Sequence, residues 1–470
     1  MTTRSIRTCL AVSLLAACGG DDVHHLADAP STDNTLPDAP TEGVATLTVT
    51  QDGAPVSGVT VHFQNADGSL ISTKATDANG DASATVRIGA IVTDIDPPPP
   101  PVATFGSTNI FNTLHTWAGV KPNDHLHLDL VTTAPPQANL TLTLPDDGQS
   151  HYQLFTSCGI NGIDVTPPPV GSAVAANQPV NISIPVCSAK QDFVALAQDS
   201  DFITVDALIA TDVTVTDATN IDLSAATWTA VTSTNYTYAN LPADVGGVNV
   251  FASLVTAKGP MFSASGFATA DANAATTAIP MPASQAVAAT VSRVSTGNTD
   301  QNIVDWGPLG DVNVDVGTAL LKQITDLPLY DATTHAVTWP EAATGVEPDL
   351  VRTSLEAFRT DQASNTNHFW TWELAAPHGT TGAAFPTLPV GEFDFNTVAT
   401  DQANLNTLVV AKVPGGYDAA RATIMNVSPP GGLVAGPTGH AVVEQIQRGE
   451  LTLLGRAVNR ARTSAKLPRH

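Results

Sequence analysis

A period-two alternation of apolar and polar residues, broken at short intervals by Asp-Gly and Asn-Gly pairs, constrains this chain more than any other feature. Thr46-Leu47-Thr48-Val49-Thr50 and Val59-Thr60-Val61-His62-Phe63 alternate in this way, and Asp52-Gly53, Asp67-Gly68 and Asn79-Gly80 punctuate them. Successive side chains on a strand point to opposite faces, so each run buries one face and wets the other. The glycine pairs supply the positive φ that tight reversals require. Residues 71–75 and 84–88 read as the two arms of a hairpin about Asn79-Gly80. Short strands joined in this manner predict an antiparallel β-sandwich.

The pattern continues along the chain. Residues 139–144 open a second alternating region, with further strands expected at 213–216, 235–239 and 248–254. Residues 268–288 are almost all small and read as a boundary or a weakly ordered stretch. In a third region, Val312, Val314 and Val316 alternate with Asn and Asp, and 336–339 reads as a strand. Residues 351–358 fit helix or strand. They are read as a strand because 369–374 follows a polar loop and would pair with them. Residues 443–453, interrupted by Arg448-Gly449, read as a last hairpin. The expected architecture is all-β, with tandem sandwich domains over 44–131, 137–285 and 290–455. Pro97 to Pro101 must run extended and cannot pair inside a sheet, which predicts a long loop in the first domain.

Gly53-Ala54-Pro55-Val56-Ser57-Gly58-Val59, Asn65-Ala66-Asp67-Gly68 and Thr76-Asp77-Ala78-Asn79-Gly80 together resemble the carboxypeptidase-regulatory-like or bacterial Ig-like modules. The resemblance covers residues 44–131. It implies a transthyretin-like sandwich of the kind that serves as a spacer, adhesion module or folding aid. Its motifs are turn chemistry, so no catalytic residue is carried over. Asp77 to Asp81 suggests a calcium loop, but an EF-hand would place Glu where Ile88 stands, so the turn reading is kept.

The N-terminus is of another kind. Arg4 and Arg7 precede a short uncharged run, residues 10–17, which is too short to cross a bilayer core. A charged start, a short apolar stretch and small residues before a cut mark a secretion signal over residues 1–17. Leu15-Ala16-Ala17-Cys18 resembles the lipobox of bacterial lipoproteins, which implies that Cys18 carries diacylglycerol and becomes the mature N-terminus. Two or more acyl chains anchor a protein stably. Gly19 stands where the family's inner-membrane retention signal places Asp, so an outer-membrane location is expected. Residues 19–43 are polar, repeat Asp-Ala-Pro and lack large apolar side chains; with Cys18 they are expected to form a flexible tether, segment 18–43.

Charge and motifs narrow the function. With 19 basic and 44 acidic residues the chain carries a net charge of −25, and its body has no cationic surface for nucleic acid. Basic residues gather in the tail 456–470, which is frayed, lies on an anionic envelope surface or docks on the acidic body of a neighbour. Cys9 leaves with the signal and Cys18 is lipidated. Cys158 and Cys187 are left as one pair, expected to form a disulfide in an oxidising compartment. GxSxG, HExxH, Walker A and GxGxxG signatures are all lacking, and no cofactor is implied. His125, His127 and Asp129 share one face of an expected strand and are weak metal candidates; solvated histidines are the commoner use, so no metal is expected. Trp339, Trp370 and Trp372 cluster in the third region. Trp370 and Trp372 are candidates for stacking on sugar rings, with packing between sheets the more frequent use. The expected role is non-enzymatic binding, adhesion or structure at the cell envelope, with an envelope protein or polysaccharide as partner. The alternative is a hydrolase or carbohydrate-processing enzyme with its site within 290–455.

Overall fold

A computed structural model describes residues 41–447, except 99–100, 105–106, 131–134, 168, 171–172, 175–177, 297–298, 380–381, 392 and 427–435. The signal, Cys18, residues 19–40 of the expected tether and the basic tail therefore lie outside the described residues, while Glu42 and Gly43, assigned to the tether, already belong to the first strand. No described helix is long and apolar enough to cross a membrane.

The protein is all-β, as the alternation predicts. In the first region the strands are β1 (Glu42–Gln51), β2 (Thr60–Gln64), β3 (Leu70–Ala75), β4 (Asp81–Arg87), β5 (Ala90–Ile95), β6 (Ser107–Val120) and β7 (His125–Leu130). β1 lies between antiparallel β4 and parallel β7, with Leu47 opposite both Ala82 and Leu126. β2 lies between β3 and β5, and β5 pairs with β6. The two layers enclose Leu47, Val49, Val61, Phe63, Val92, Trp117, Leu126 and Leu128. The expected hairpin of 71–75 with 84–88 does not form. β3 stays in one sheet and β4 crosses to pair with β1, so Asn79-Gly80 links two layers instead of two neighbours in one sheet. Gly80 has φ +80°, and a Cβ there would come within 2.3 Å of the Val49 carbonyl oxygen, so a side chain cannot enter this crossing.

The middle region has β8 (Gln137–Thr143), β9 (His151–Thr156), β10 (Val180–Pro185), β11 (Lys190–Gln198) and β12 (Thr204–Thr214). β8 pairs with β10, while β9 and β12 flank β11. These two sheets close on a core of their own that includes Leu140, Leu142, Leu154, Ile184, Phe193 and Leu208.

The last region contains β13 (Thr232–Ala239), β14 (Gly247–Thr256), β15 (Gly259–Asp271), β16 (Ala274–Met281), β17 (Val287–Thr296), β18 (Thr299–Pro308), β19 (Leu350–Asp361), β20 (Thr366–Pro377), β21 (Gln402–Lys412) and β22 (Gly439–Gln447). β19 pairs with β20 with Phe358 opposite Phe369, the pairing expected from the sequence. Residues 268–288 form ordered strands, against the reading of a weak stretch. β propensity measures the fit of a side chain to a pleated, half-buried surface. Here Ala268 and Ala275 pack in one core with Tyr236, Tyr238, Ile279 and Met281, which supply the bulk that alanine lacks. The first arm of the expected last hairpin belongs to β22, which lies between β18 and β21; its second arm lies outside the described residues.

One ladder of hydrogen bonds joins distant parts of the chain. β6 pairs in parallel with β20, Phe111 opposite Phe369 and Leu114 opposite Trp372. From there the ladder continues through β19, β21, β22, β18, β17 and β14. The predominantly antiparallel sandwich thus has parallel seams, which short-range alternation does not reveal.

Candidate functional site

The inward face of the sheet at the β5–β6–β20 seam carries a row of ionisable side chains where the neighbouring positions are apolar. On β5 the inward positions run Ala90, Val92 and then Asp94. Asp94 stands opposite His115 on β6, and His115 stands opposite Glu373 on β20. Asp96, just past the end of β5, brings its carboxylate to the same imidazole. His115 Nδ1 lies 3.3 Å from Asp94 Oδ2 and 4.0 Å from Asp96 Oδ1. The Asp94 side chain is fully buried, and those of His115 and Asp96 are 10% and 17% exposed. Asp94 Oδ1 and Asp96 Oδ1 accept no hydrogen bond. Across the seam, Arg352 on β19 binds Glu373 at 2.7 Å and donates to the Ile424 carbonyl at 3.0 Å.

Burial and charge set the protonation of this cluster. Burial pushes the Asp96 carboxyl up to about 8, and the neighbouring Asp94 adds to the rise while His115 opposes it. Burial works against charge on His115, yet Asp94, then Asp96 and Glu373, outweigh it and raise the imidazole to about 9. Near neutral pH the cluster therefore keeps protons on both His115 and Asp96.

A second cluster lies at His378. Its Nε2 is 2.8 Å from Glu341 and its Nδ1 is 3.3 Å from Glu347. Glu341 also accepts from Trp339 Nε1 at 2.6 Å, and Glu347 pairs with Lys322. Each carboxylate already has partners, so this is a closed ion-pair network.

Another buried acid, Glu444 on β22, accepts from the Ile324 amide at 3.0 Å and from Gln301 Nε2 at 3.1 Å. Burial raises its pKa from 4.5 to about 7, against the pull of these hydrogen bonds. Because the folded state holds this proton more tightly than the unfolded chain, its contribution to stability is full below the unfolded pKa and is lost as pH rises toward 7. Between pH 5 and 8 the protein should lose about 2–3 kcal/mol relative to Glu444→Gln. Urea unfolding of both forms at the two pH values checks this; parallel losses would refute it.

The residues singled out in the sequence have ordinary structural uses. His125 is exposed, and Leu126 and Leu128 face the core as expected. Asp129 accepts from Thr50 Oγ1 at 2.5 Å and from the Gly53 amide at 3.0 Å. The Asn426 side chain donates to the His127 carbonyl at 2.9 Å and accepts from the Asp129 amide at 2.8 Å, extending the ladder of β7. These residues do not form a metal-ligand cluster among the described residues. Trp370 and Trp372 are 2% and 1% exposed, so neither offers a face to a sugar ring. Trp372 Nε1 donates to Thr116 Oγ1 at 2.8 Å, and Trp370 packs edge-on against Phe393 and Phe395 beneath the Arg359 guanidinium. The Cys158–Cys187 disulfide is formed, with a Cα separation of 5.5 Å. Sequence reading passed over Asp94, Asp96, His115 and Glu373. The available signal was Asp94 itself, a charged residue continuing the inward register of Ala90 and Val92.

No family model matches the chain, and no curated protein matches it in sequence. Similar solved structures include the TIE protein of Bacillus anthracis, at 10% identity and TM-score 0.15, covering 58% of this chain and 49% of that one. Another is a protein of Bacteroides uniformis ATCC 8492 provisionally described as a cell adhesion protein, at 13% identity and TM-score 0.14, covering 34% and 79%. The pilus adhesin SpaC of Lactobacillus rhamnosus GG matches at 10% identity and TM-score 0.13, covering 71% and 43%. The chain thus spans about half the length of the first and less than half of the third. Likeness at these TM-scores carries no argument about architecture or role.

Proposed function

We propose that the chain is an extracytoplasmic lipoprotein of the bacterial cell envelope, held by a lipidated Cys18 at the outer membrane, with a binding, adhesive or structural role. The observation that carries this reading is the Cys158–Cys187 disulfide. Such bonds persist in oxidising compartments and are rare in the cytosol. The signal-like segment and Leu15-Ala16-Ala17-Cys18 point to the same compartment. The acidic, sparsely charged composition suits a soluble body that repels its own copies. Against the hydrolase alternative, the tryptophans that would line a sugar cleft fill the core instead.

The test is intact mass and membrane fractionation of the native protein beside Cys18→Ala. The expected result is a wild-type chain starting at Cys18 with added acyl mass and sedimenting with membranes, and a Cys18→Ala protein without acyl mass that leaves them. An unmodified wild-type chain, or one cut elsewhere and released, overturns the anchor and moves weight to a freely secreted protein.

A further inference from the structure

We propose that Asp94, Asp96 and His115 form a binding site for one divalent transition-metal ion of the zinc type. The three residues each present a ligand atom, and these atoms lie within 4.8 Å of one another. A tetrahedral zinc site with bonds of about 2.0–2.2 Å sets its ligand atoms roughly 3.3–3.6 Å apart. The 3.3 Å between Asp94 and His115 already matches that edge, and the 4.0 Å to Asp96 needs a shift of a few tenths of an ångström. The backbone builds this arrangement with little freedom. Asp94 and His115 face each other in the stretch of the antiparallel pair that stays in register from Val92 to Ile95, and Asp96 follows just past the strand end.

Two further observations point to a cation. Asp94 is wholly buried, and one of its oxygens and one of Asp96's have no hydrogen-bond partner. A buried carboxylate oxygen left unpaired is costly unless a cation or donor meets it. The donor set is also selective. One imidazole nitrogen with two carboxylates suits zinc, cobalt or manganese, whereas calcium takes six to eight oxygens. Three protein ligands leave a fourth position open, and the partly exposed Asp96 gives an entry side. Glu373, held by Arg352, stands next to His115 as a further acidic neighbour. The Glu341–Glu347–His378 cluster is the internal contrast: its composition is the same, but no oxygen of its carboxylates is among the unpartnered buried atoms. The proposal is independent of the membrane anchor.

The full-length protein, stripped with a chelator and dialysed, is titrated with zinc chloride by calorimetry and with cobalt(II) by visible absorption. The variants are Asp94→Asn, Asp96→Asn, His115→Gln and, as a control, Glu341→Gln. One ion per chain is expected, with the intense absorption of tetrahedral cobalt. Each of the first three variants should weaken zinc binding by more than the ~10–100-fold typical of losing a supporting partner, with Glu341→Gln unchanged. Circular dichroism verifies folding. Should Asp94→Asn fail to fold, the more exposed Asp96 gives the same reading. Absence of stoichiometric binding by the wild type, or zinc binding that all three variants retain, overturns the site. Retained binding would assign the ion to other histidines such as His24 and His25, and no binding would leave the cluster as a buried ion pair.

Discussion

Replacing Trp372 by alanine is expected to destabilise the protein by about 3–5 kcal/mol, the range for deleting a large aromatic side chain from a packed core. Trp372 is 1% exposed and sits where β20 meets both β19 and β6, opposite Leu355 on one side and Leu114 on the other. Its ring centroid lies 5.1 Å from that of Phe385. Its Nε1 donates to Thr116 Oγ1, which in turn lies 2.8 Å from Thr93 Oγ1, so three adjacent strands are linked by one line of side-chain hydrogen bonds. Alanine leaves a cavity at the parallel seam. Thr116 keeps its contact with Thr93, so the loss comes mainly from packing. Trp372→Phe should therefore cost far less, about 1–2 kcal/mol for the missing donor and the smaller ring. Denaturant unfolding followed by far-ultraviolet circular dichroism measures both. A loss below about 1 kcal/mol for the alanine variant would mean that the seam is not packed as described.

Removing the disulfide with Cys158→Ser and Cys187→Ser is expected to cost about 3–4 kcal/mol in the chain-entropy model for a loop of this size. The sequence separation is 29 residues. Cys158 follows β9 and Cys187 follows β10, and those strands belong to opposite sheets of the middle region, so the bond clamps the two layers at one end. That region has a core of its own, although Phe155, Val194, Leu196 and Ala207 also pack into the core that holds Trp372. The loss should be largest in the middle region. Hydrogen exchange should accelerate in β8 to β12 and remain nearly unchanged in β1 and β7. Uniform acceleration along the whole chain would show that the middle region does not open by itself.

How much of this was legible in the sequence depends on the range of the interaction. Leu47 and Val49, and Leu126 and Leu128, take the buried positions that alternation assigns them, because burial of one strand face is a local rule. The pairing of 351–358 with 369–374 was legible for the same reason: the partners are neighbours in the chain. The disulfide was legible by elimination. What escaped was every decision made by a distant partner. Nothing in residues 71–88 states that β4 will pair with β1 in preference to β3. Nothing in residues 268–288 announces the tyrosines that make alanine sufficient there. The Asp94 cluster was hidden in the same way. Its members come from three strands, and Asp94 stands just ahead of a run of prolines, where a charge reads as the start of a loop.

The parallel seam also governs the order in which the protein can be completed. β6 lies within the first 120 residues, while its partner begins at Thr366. A chain delivered N-terminus first across a membrane therefore presents one side of β6, unpaired, until the remainder has followed. An open strand edge is a template for any other extended chain, and contacts between residues far apart form slowly. Trp117 sits in a core shared with late residues such as Leu350, Val409 and Val443, so the first layers stay incomplete and their flank open until those residues arrive. If the chain is exported as proposed, the cell must shield that flank while it waits, and release of a truncated chain would leave the edge permanently available for self-association.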